Sequence, residues 1–121
     1  MSSSEAKLIA PIHHDLHYAV IFTSLRKPDD GADYGLAADQ MLELAAQQEG
    51  FLGVESARGT DGLGITVSYW KTLEAIAAWR NVAEHRNVQR LGRELWYSAF
   101  ATRICEVKRS YDFQSSDSEK Q

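Results

Sequence analysis

The clearest pattern in the chain is a run of alternating side chains at residues 18–25, YAVIFTSL. Its β-branched and aromatic residues are typical of a strand. Alternate residues of a strand point to opposite faces of the sheet. The two rows here are Tyr18, Val20 and Phe22 on one side, and Ala19, Ile21 and Leu25 on the other. Because both rows are apolar, we expect both faces of this strand to be covered.

The apolar positions elsewhere predict the remaining elements. A helical period predicts helices over residues 32–48, 72–82 and 84–99, and alternation predicts strands over 51–57, 64–70 and 100–111. Asp61-Gly62 is a typical hairpin signal between the second and third strands. Gly50 is suited to the left-handed cap that ends the first helix.

This order of elements predicts an α+β fold of the ferredoxin-like type, βαββαβ, with a four-stranded antiparallel sheet and helices on one face. The helices cover only one face, whereas the strands are apolar on both. We therefore expect a second copy of the chain to cover the free face, which gives a homodimer through the sheet faces. Two-fold symmetry is the usual arrangement of such a dimer.

The length of 121 residues fits one domain. We predict a single domain over residues 18–113. Residues 1–17 are expected to form a flexible lead-in and residues 114–121 a disordered tail, because both ends hold few apolar residues in a regular pattern.

Composition narrows the class of protein. The hydrophobic fraction is 44% and the charged fraction 25%, as in ordinary globular domains. The apolar runs are too short to span a membrane, and no secretory signal is visible. The single cysteine, Cys105, excludes an internal disulfide and a multi-cysteine metal site. These features predict a cytoplasmic protein that does not act at a membrane.

The net charge of −4 argues against a nucleic-acid partner. Basic residues outnumber acidic ones only between residues 71 and 109. Arg86, Arg90 and Arg93 form a stripe there, opposite the apolar face of the last predicted helix. Three arginines in an acidic protein make a poor phosphate-binding surface, so we expect no nucleic-acid binding.

Aromatic residues and one histidine are the main candidates for chemistry. Trp70, Trp79 and Trp96 lie at or near apolar faces, where tryptophans either pack the core or form the wall of a ligand cavity. His85 lies on a predicted helix at the border of its apolar face. It could be a general base, a haem ligand or a partner for substrate, or it could bond to the backbone at the helix start.

The other reactive side chains favour structural roles. Cys105 lies in the middle of a predicted strand, and we interpret it as a packed thiol. His13, His14 and His17 precede the first strand, but no further ligand stands at a recognised spacing, so no metal site is predicted.

Three passages together resemble the antibiotic biosynthesis monooxygenase family. They are EGFLGVESAR at residues 49–58, GITVSYWKTLEAIAAWR at 64–80 and EHRNVQRLGRELWY at 84–97. The resemblance covers residues 18–113 and implies a dimeric α+β barrel, in agreement with the two-sided strands. It also implies a cofactor-free oxygenase that oxidises a small aromatic or polycyclic substrate with O₂.

Under this resemblance the substrate supplies the electrons, and the protein excludes water and stabilises an anion. His85 and Trp79 are the expected catalytic residues, with His85 taking the proton. The expected substrate-binding residues are Trp70, Tyr69, Phe22, Trp96 and Arg103, the last of which could balance the anion.

Two other functions stay open. One is a non-catalytic dimeric module that binds a ligand or responds to stress. The other is haem binding or degradation, for which the resemblance implies an asparagine on the first strand. The chain has Ile21, Phe22 and Thr23 in that region, so haem is disfavoured and no cofactor is expected.

Overall fold

The structure is a computed structural model that describes residues 8–28, 33–85 and 96–116. The elements are β1 (His17–Arg26), α1 (Asp33–Ala46), β2 (Phe51–Arg58), β3 (Leu63–Trp70), α2 (Leu73–His85) and β4 (Tyr97–Val107). The strands form one antiparallel sheet in the order β2-β3-β1-β4. The predicted ferredoxin-like α+β fold is confirmed. No helix among the described residues is long and apolar enough to cross a membrane.

The predicted boundaries are wrong in the second half of the chain. We expected a helix over residues 84–99, but Tyr97–Ala99 begin β4 and pair with β1. That pairing gives their backbone N–H and C=O groups hydrogen-bond partners in the sheet. These bonds decide the structure of the segment, although its apolar side chains recur at helical spacing. Residues 86–95, which include the predicted arginine stripe, lie outside the described residues. The second helix continues beyond the predicted end at Val82 to His85, and Ala83 is buried on it.

A core on the helix side of the sheet is centred on Trp70, whose side chain has no exposed surface. Ala45 of α1 and Ile76 of α2 close over it. Tyr18 and Val20, which belong to one of the two apolar rows predicted for β1, pack against this core. The described helices therefore cover this face over β2 and β3, the side on which the predicted helices were expected.

The opposite face is covered in part by the chain's own N-terminus. Residues 8–16, which we call the N-terminal strap, lie against this face instead of forming a detached lead-in. Ala10 is buried, and a Cβ at Gly53 of β2 would lie 3.1 Å from Pro11 Cδ. Close packing against the sheet thus orders a segment that has no regular pattern of its own. His17, assigned to the lead-in, is the first residue of β1.

Gly50 connects α1 to β2 in a conformation that no other residue fits well. Its φ angle is +90°, and a Cβ there would lie 2.6 Å from the Cβ of Ala75 on α2. Left-handed backbone disfavours a side chain, and the neighbouring Cβ cannot rotate away. Gly50 therefore allows α2 to pack closely on the start of β2.

We expect Gly50→Ala to lower the free energy of unfolding by about 2 kcal/mol or more, from backbone strain and the clash with Ala75. Gly64→Ala is the control, because the three atoms nearest to the added Cβ all belong to the guanidinium end of Arg58, which can move. Urea unfolding of both variants checks this. Equal stability of the two variants would contradict it.

Candidate functional site

The residues expected to form one site lie on both faces of the sheet. Trp70 and Trp79 are on the helix side, whereas Tyr69 and Arg103 are on the strap side. Arg103 pairs with Ile21 in the register of β1 and β4, and it is exposed. The structure therefore does not bring the predicted set together, and Arg103 cannot balance an anion bound on the helix side.

Trp70 and Trp79 form a stacked pair on the helix side. Their ring centres are 6.2 Å apart with an interplanar angle of 23°. The other side of Trp70 meets Phe51 edge-on, and its indole Nε1 donates a hydrogen bond to Ser68 Oγ at 2.9 Å. Trp70 is thus a fully packed core residue and not a cavity wall. Trp79 is only half-buried, so part of its ring faces outward.

A second aromatic cluster lies on the same face, over β1 and β4. Phe22, Tyr97 and Phe100 have ring centres 5.4 to 6.0 Å apart, and we call them the β1–β4 aromatic cluster. Helix α1 makes its main sheet contacts with β2 and helix α2 with β3, in the other half of this face. Phe100 is 39% exposed and Ile104 is 49% exposed. The cluster therefore presents a partly exposed apolar surface of mutually inclined rings.

The two remaining predicted residues lie at the ends of elements. Trp96 is buried just before β4, and its carbonyl accepts a hydrogen bond from the Lys27 N–H at 2.8 Å. His85 is the last residue of α2, the helix that carries Trp79. The side chain of His85 lies outside what the structure describes.

One pocket of the described residues lies between the strap and the sheet. It has a volume of about 390 Å³, and we call it the strap cavity. The walls are mainly apolar and include Ile9, Ala19, Ile21, Val67 and Val107. Polar groups enter from His13, His17, Glu55, Tyr69, Cys105 and Ser110. An apolar cavity with a few converging polar groups is typical of a ligand site.

Glu55 joins the strap to the sheet at this cavity. The hydroxyl of Tyr69 donates to Glu55 Oε1 at 2.5 Å, and the Ala10 N–H of the strap donates to Oε2 at 2.9 Å. Burial raises the pKa of Tyr69 to about 12, and the hydrogen bond to Glu55 and its negative charge act in the same direction. Tyr69 therefore stays protonated at neutral pH and can accept a hydrogen bond but cannot serve as a base.

His17 is the residue that sequence reasoning missed. It is 3% exposed and its Nδ1 lies 2.8 Å from the carbonyl oxygen of Asp15. It also contacts the rings of His13 and Tyr69. The alternation of β1 extended backwards by one residue would have placed His17 in the same row as Ala19. Within the described residues, no group of three or more His, Cys, Asp or Glu side chains could hold a metal ion.

We expect Glu55→Gln to lower the pKa of Tyr69 below about 12, because the substitution removes the negative charge but keeps the burial. Tyrosinate absorbance during an alkaline titration measures this, with Tyr69→Phe to identify the Tyr69 contribution. The folded chain holds this proton more tightly than the unfolded chain, so the associated stability is complete below pH 10 and declines towards pH 12. An unchanged titration in Glu55→Gln would contradict the assignment.

Comparison with known proteins identifies the family. Residues 17–91 match the family model for antibiotic biosynthesis monooxygenase, and this confirms the resemblance seen in the sequence. The chain is 48% identical over 100 residues to the uncharacterised protein YqjZ of Bacillus subtilis, which covers 83% of this chain and 87% of that protein.

Two solved structures share the fold. A candidate antibiotic biosynthesis monooxygenase from Nitrosomonas europaea has a TM-score of 0.64 at 13% identity, over 78% of this chain and 92% of that one. A conserved protein from Methanosarcina mazei has the same TM-score and identity, over 78% and 94%. The family model and the relative in Bacillus subtilis carry the assignment, and the chain belongs to the antibiotic biosynthesis monooxygenase family.

Proposed function

We propose that the protein is a monooxygenase that oxidises a small aromatic or polycyclic phenol with O₂ and needs no tightly bound cofactor. The observation that carries this proposal is the β1–β4 aromatic cluster, an apolar surface on the helix side of a fold from the monooxygenase family. The rings of an aromatic substrate can pack edge-on or offset against such rings.

The chemistry balances without an external reductant. Removal of the phenolic proton gives an electron-rich anion that can react with O₂. One oxygen atom enters the ring, the other leaves as water, and the phenol becomes a quinone. The substrate thus supplies all the electrons, and the protein has to bind it, remove a proton and exclude water.

We assign two roles to residues of α2. His85 takes the phenolic proton, and Trp79 packs against the substrate ring through its half-buried face. Trp70 does not touch substrate in this proposal; it positions Trp79 through the stacked pair. Phe22 forms part of the binding surface, and Trp96 supports it beside Tyr97.

We expect His85→Gln to lower kcat for a turned-over phenol by about 10²-fold or more, the usual contribution of a general base. Oxygen uptake with a panel of naphthols and anthrones measures this after dialysis against a chelator. The matched control is His14→Gln, which changes an exposed histidine far from α2 in sequence. Absence of oxygen uptake with every phenol, or unchanged kcat in His85→Gln, would contradict the proposal.

We also propose that the chain forms a homodimer through the strap side of the sheet. The strap covers one half of this face, and the other half exposes Leu25, Leu63 and Ile65 by 41, 43 and 42%. These three side chains point to the same face on the neighbouring strands β1 and β3. The contact between copies is centred on this open half, where burial of apolar area would stabilise the dimer.

Leu63→Lys is expected to convert the dimer to monomer at micromolar concentration, because it buries a charge in the contact. Leu73→Lys is the control, since Leu73 is 51% exposed at the start of α2 on the helix side. Sedimentation velocity of the two variants and the unchanged chain measures the mass. The proposal would be contradicted if the wild-type protein were a monomer or if the Leu63→Lys variant were a dimer.

A further inference from the structure

We propose that the strap cavity is a second ligand site, which takes a small, uncharged ring compound bearing an N–H or O–H donor. The cavity lies on the opposite face of the sheet from the β1–β4 aromatic cluster, so it is separate from the proposed oxygenase site. Its volume of about 390 Å³ falls in the range of about 300–1,000 Å³ found for ligand pockets.

The ligand needs a hydrogen-bond donor because the free positions on Tyr69 and His17 are acceptors. The positions of the hydrogens on these two side chains show this. The Tyr69 hydroxyl gives its proton to the Glu55 carboxylate, so its oxygen retains only the capacity to accept. A carbonyl oxygen can only accept, so His17 Nδ1 must carry the hydrogen that meets Asp15. In the neutral imidazole, Nε2 is then also an acceptor.

Both acceptors lack a donor within the part of the chain that the structure describes. Among residues 8–28, 33–85 and 96–116, the side chains of Tyr69 and His17 form no hydrogen bond besides those to Glu55 and Asp15. The rings of the two residues have centres 6.0 Å apart, so one ring compound can approach both. A ligand that donates a hydrogen to either acceptor replaces a bond that the acceptor would otherwise make to water.

We expect the ligand to be uncharged because of the apolar lining of the cavity and the negative charge of Glu55. Apolar side chains, among them Ala19, Ile21, Val67 and Val107, form most of the lining, and they cannot solvate an ion. Both oxygens of Glu55 are already engaged by Tyr69 and Ala10, and its negative charge at the wall repels carboxylates. A neutral donor on an apolar ring is the ligand chemistry that fits both conditions.

Indole and benzofuran test this proposal, because they have nearly the same shape and only indole has an N–H. Calorimetric titration of the full chain is expected to give at least tenfold weaker binding for benzofuran. Tyr69→Phe should weaken indole about tenfold and leave benzofuran unchanged, since a lost hydrogen bond of this kind corresponds to about a factor of ten. Tyr111→Phe is the matched control, because Tyr111 is 85% exposed.

Val67→Phe provides a second variant that does not disturb the hydrogen bonds to Glu55. The larger side chain fills the cavity from β3, so it should abolish binding of both probes and leave oxygen uptake with phenols unchanged. Amide NMR shifts on addition of indole should appear in the strap and β1, not in α2. Equal affinity for the two probes, absence of indole binding, or unchanged indole binding in Tyr69→Phe or Val67→Phe would overturn the proposal. Loss of phenol turnover alone would bear only on the oxygenase proposal.

Discussion

A sheet that is apolar on both faces has to have both faces covered, and this constraint governs the architecture of the chain. Two helices cover the β2–β3 half of one face and enclose Trp70, the most completely buried large side chain of the described residues. On the other face the chain uses the nine residues of the strap, 8–16, which do not form a strand of the sheet. Among the described residues, each face keeps an exposed apolar part, where the proposed oxygenase surface and the proposed dimer contact lie, whereas the strap cavity lies beneath the strap.

Glu55 links the covering of the second face to its chemistry. One carboxylate oxygen anchors the strap through the Ala10 N–H, and the other receives the proton of Tyr69. The same side chain therefore holds the strap over the cavity and fixes the direction of the Tyr69 hydroxyl. Because Glu55 is half-buried, both hydrogen bonds are partly shielded from water, and this favours a single arrangement of the group.

Most of the fold could be predicted from the sequence, because alternation and helical spacing are local patterns. Residues close together in the sequence were enough to predict three features. These are the two apolar rows of β1, the hairpin at Asp61-Gly62 and the left-handed conformation of Gly50. The strap could not be predicted, since it is ordered by contacts to residues far away in sequence, such as Ala10 to Glu55. The start of β4 at Tyr97 likewise depends on pairing with β1.

The site was harder to predict than the fold, although one error could have been avoided. Tyr69 and Trp70 are adjacent on one strand, so they point to opposite faces and cannot line one cavity. The packing of Trp70 against Trp79 and Phe51 could not be predicted from the spacing of apolar residues along the sequence. A tryptophan in a core and a tryptophan in a cavity wall have the same spacing.

The measurement that tests the account most directly is hydrogen exchange at the amide of Ala10. If the strap covers the second face through Glu55, this amide exchanges at least tenfold more slowly than in a free peptide, and Glu55→Ala removes the protection. Exchange of Ala10 at the rate of a free peptide in the unchanged chain would show that the strap does not cover the sheet, and would contradict the cavity built on it.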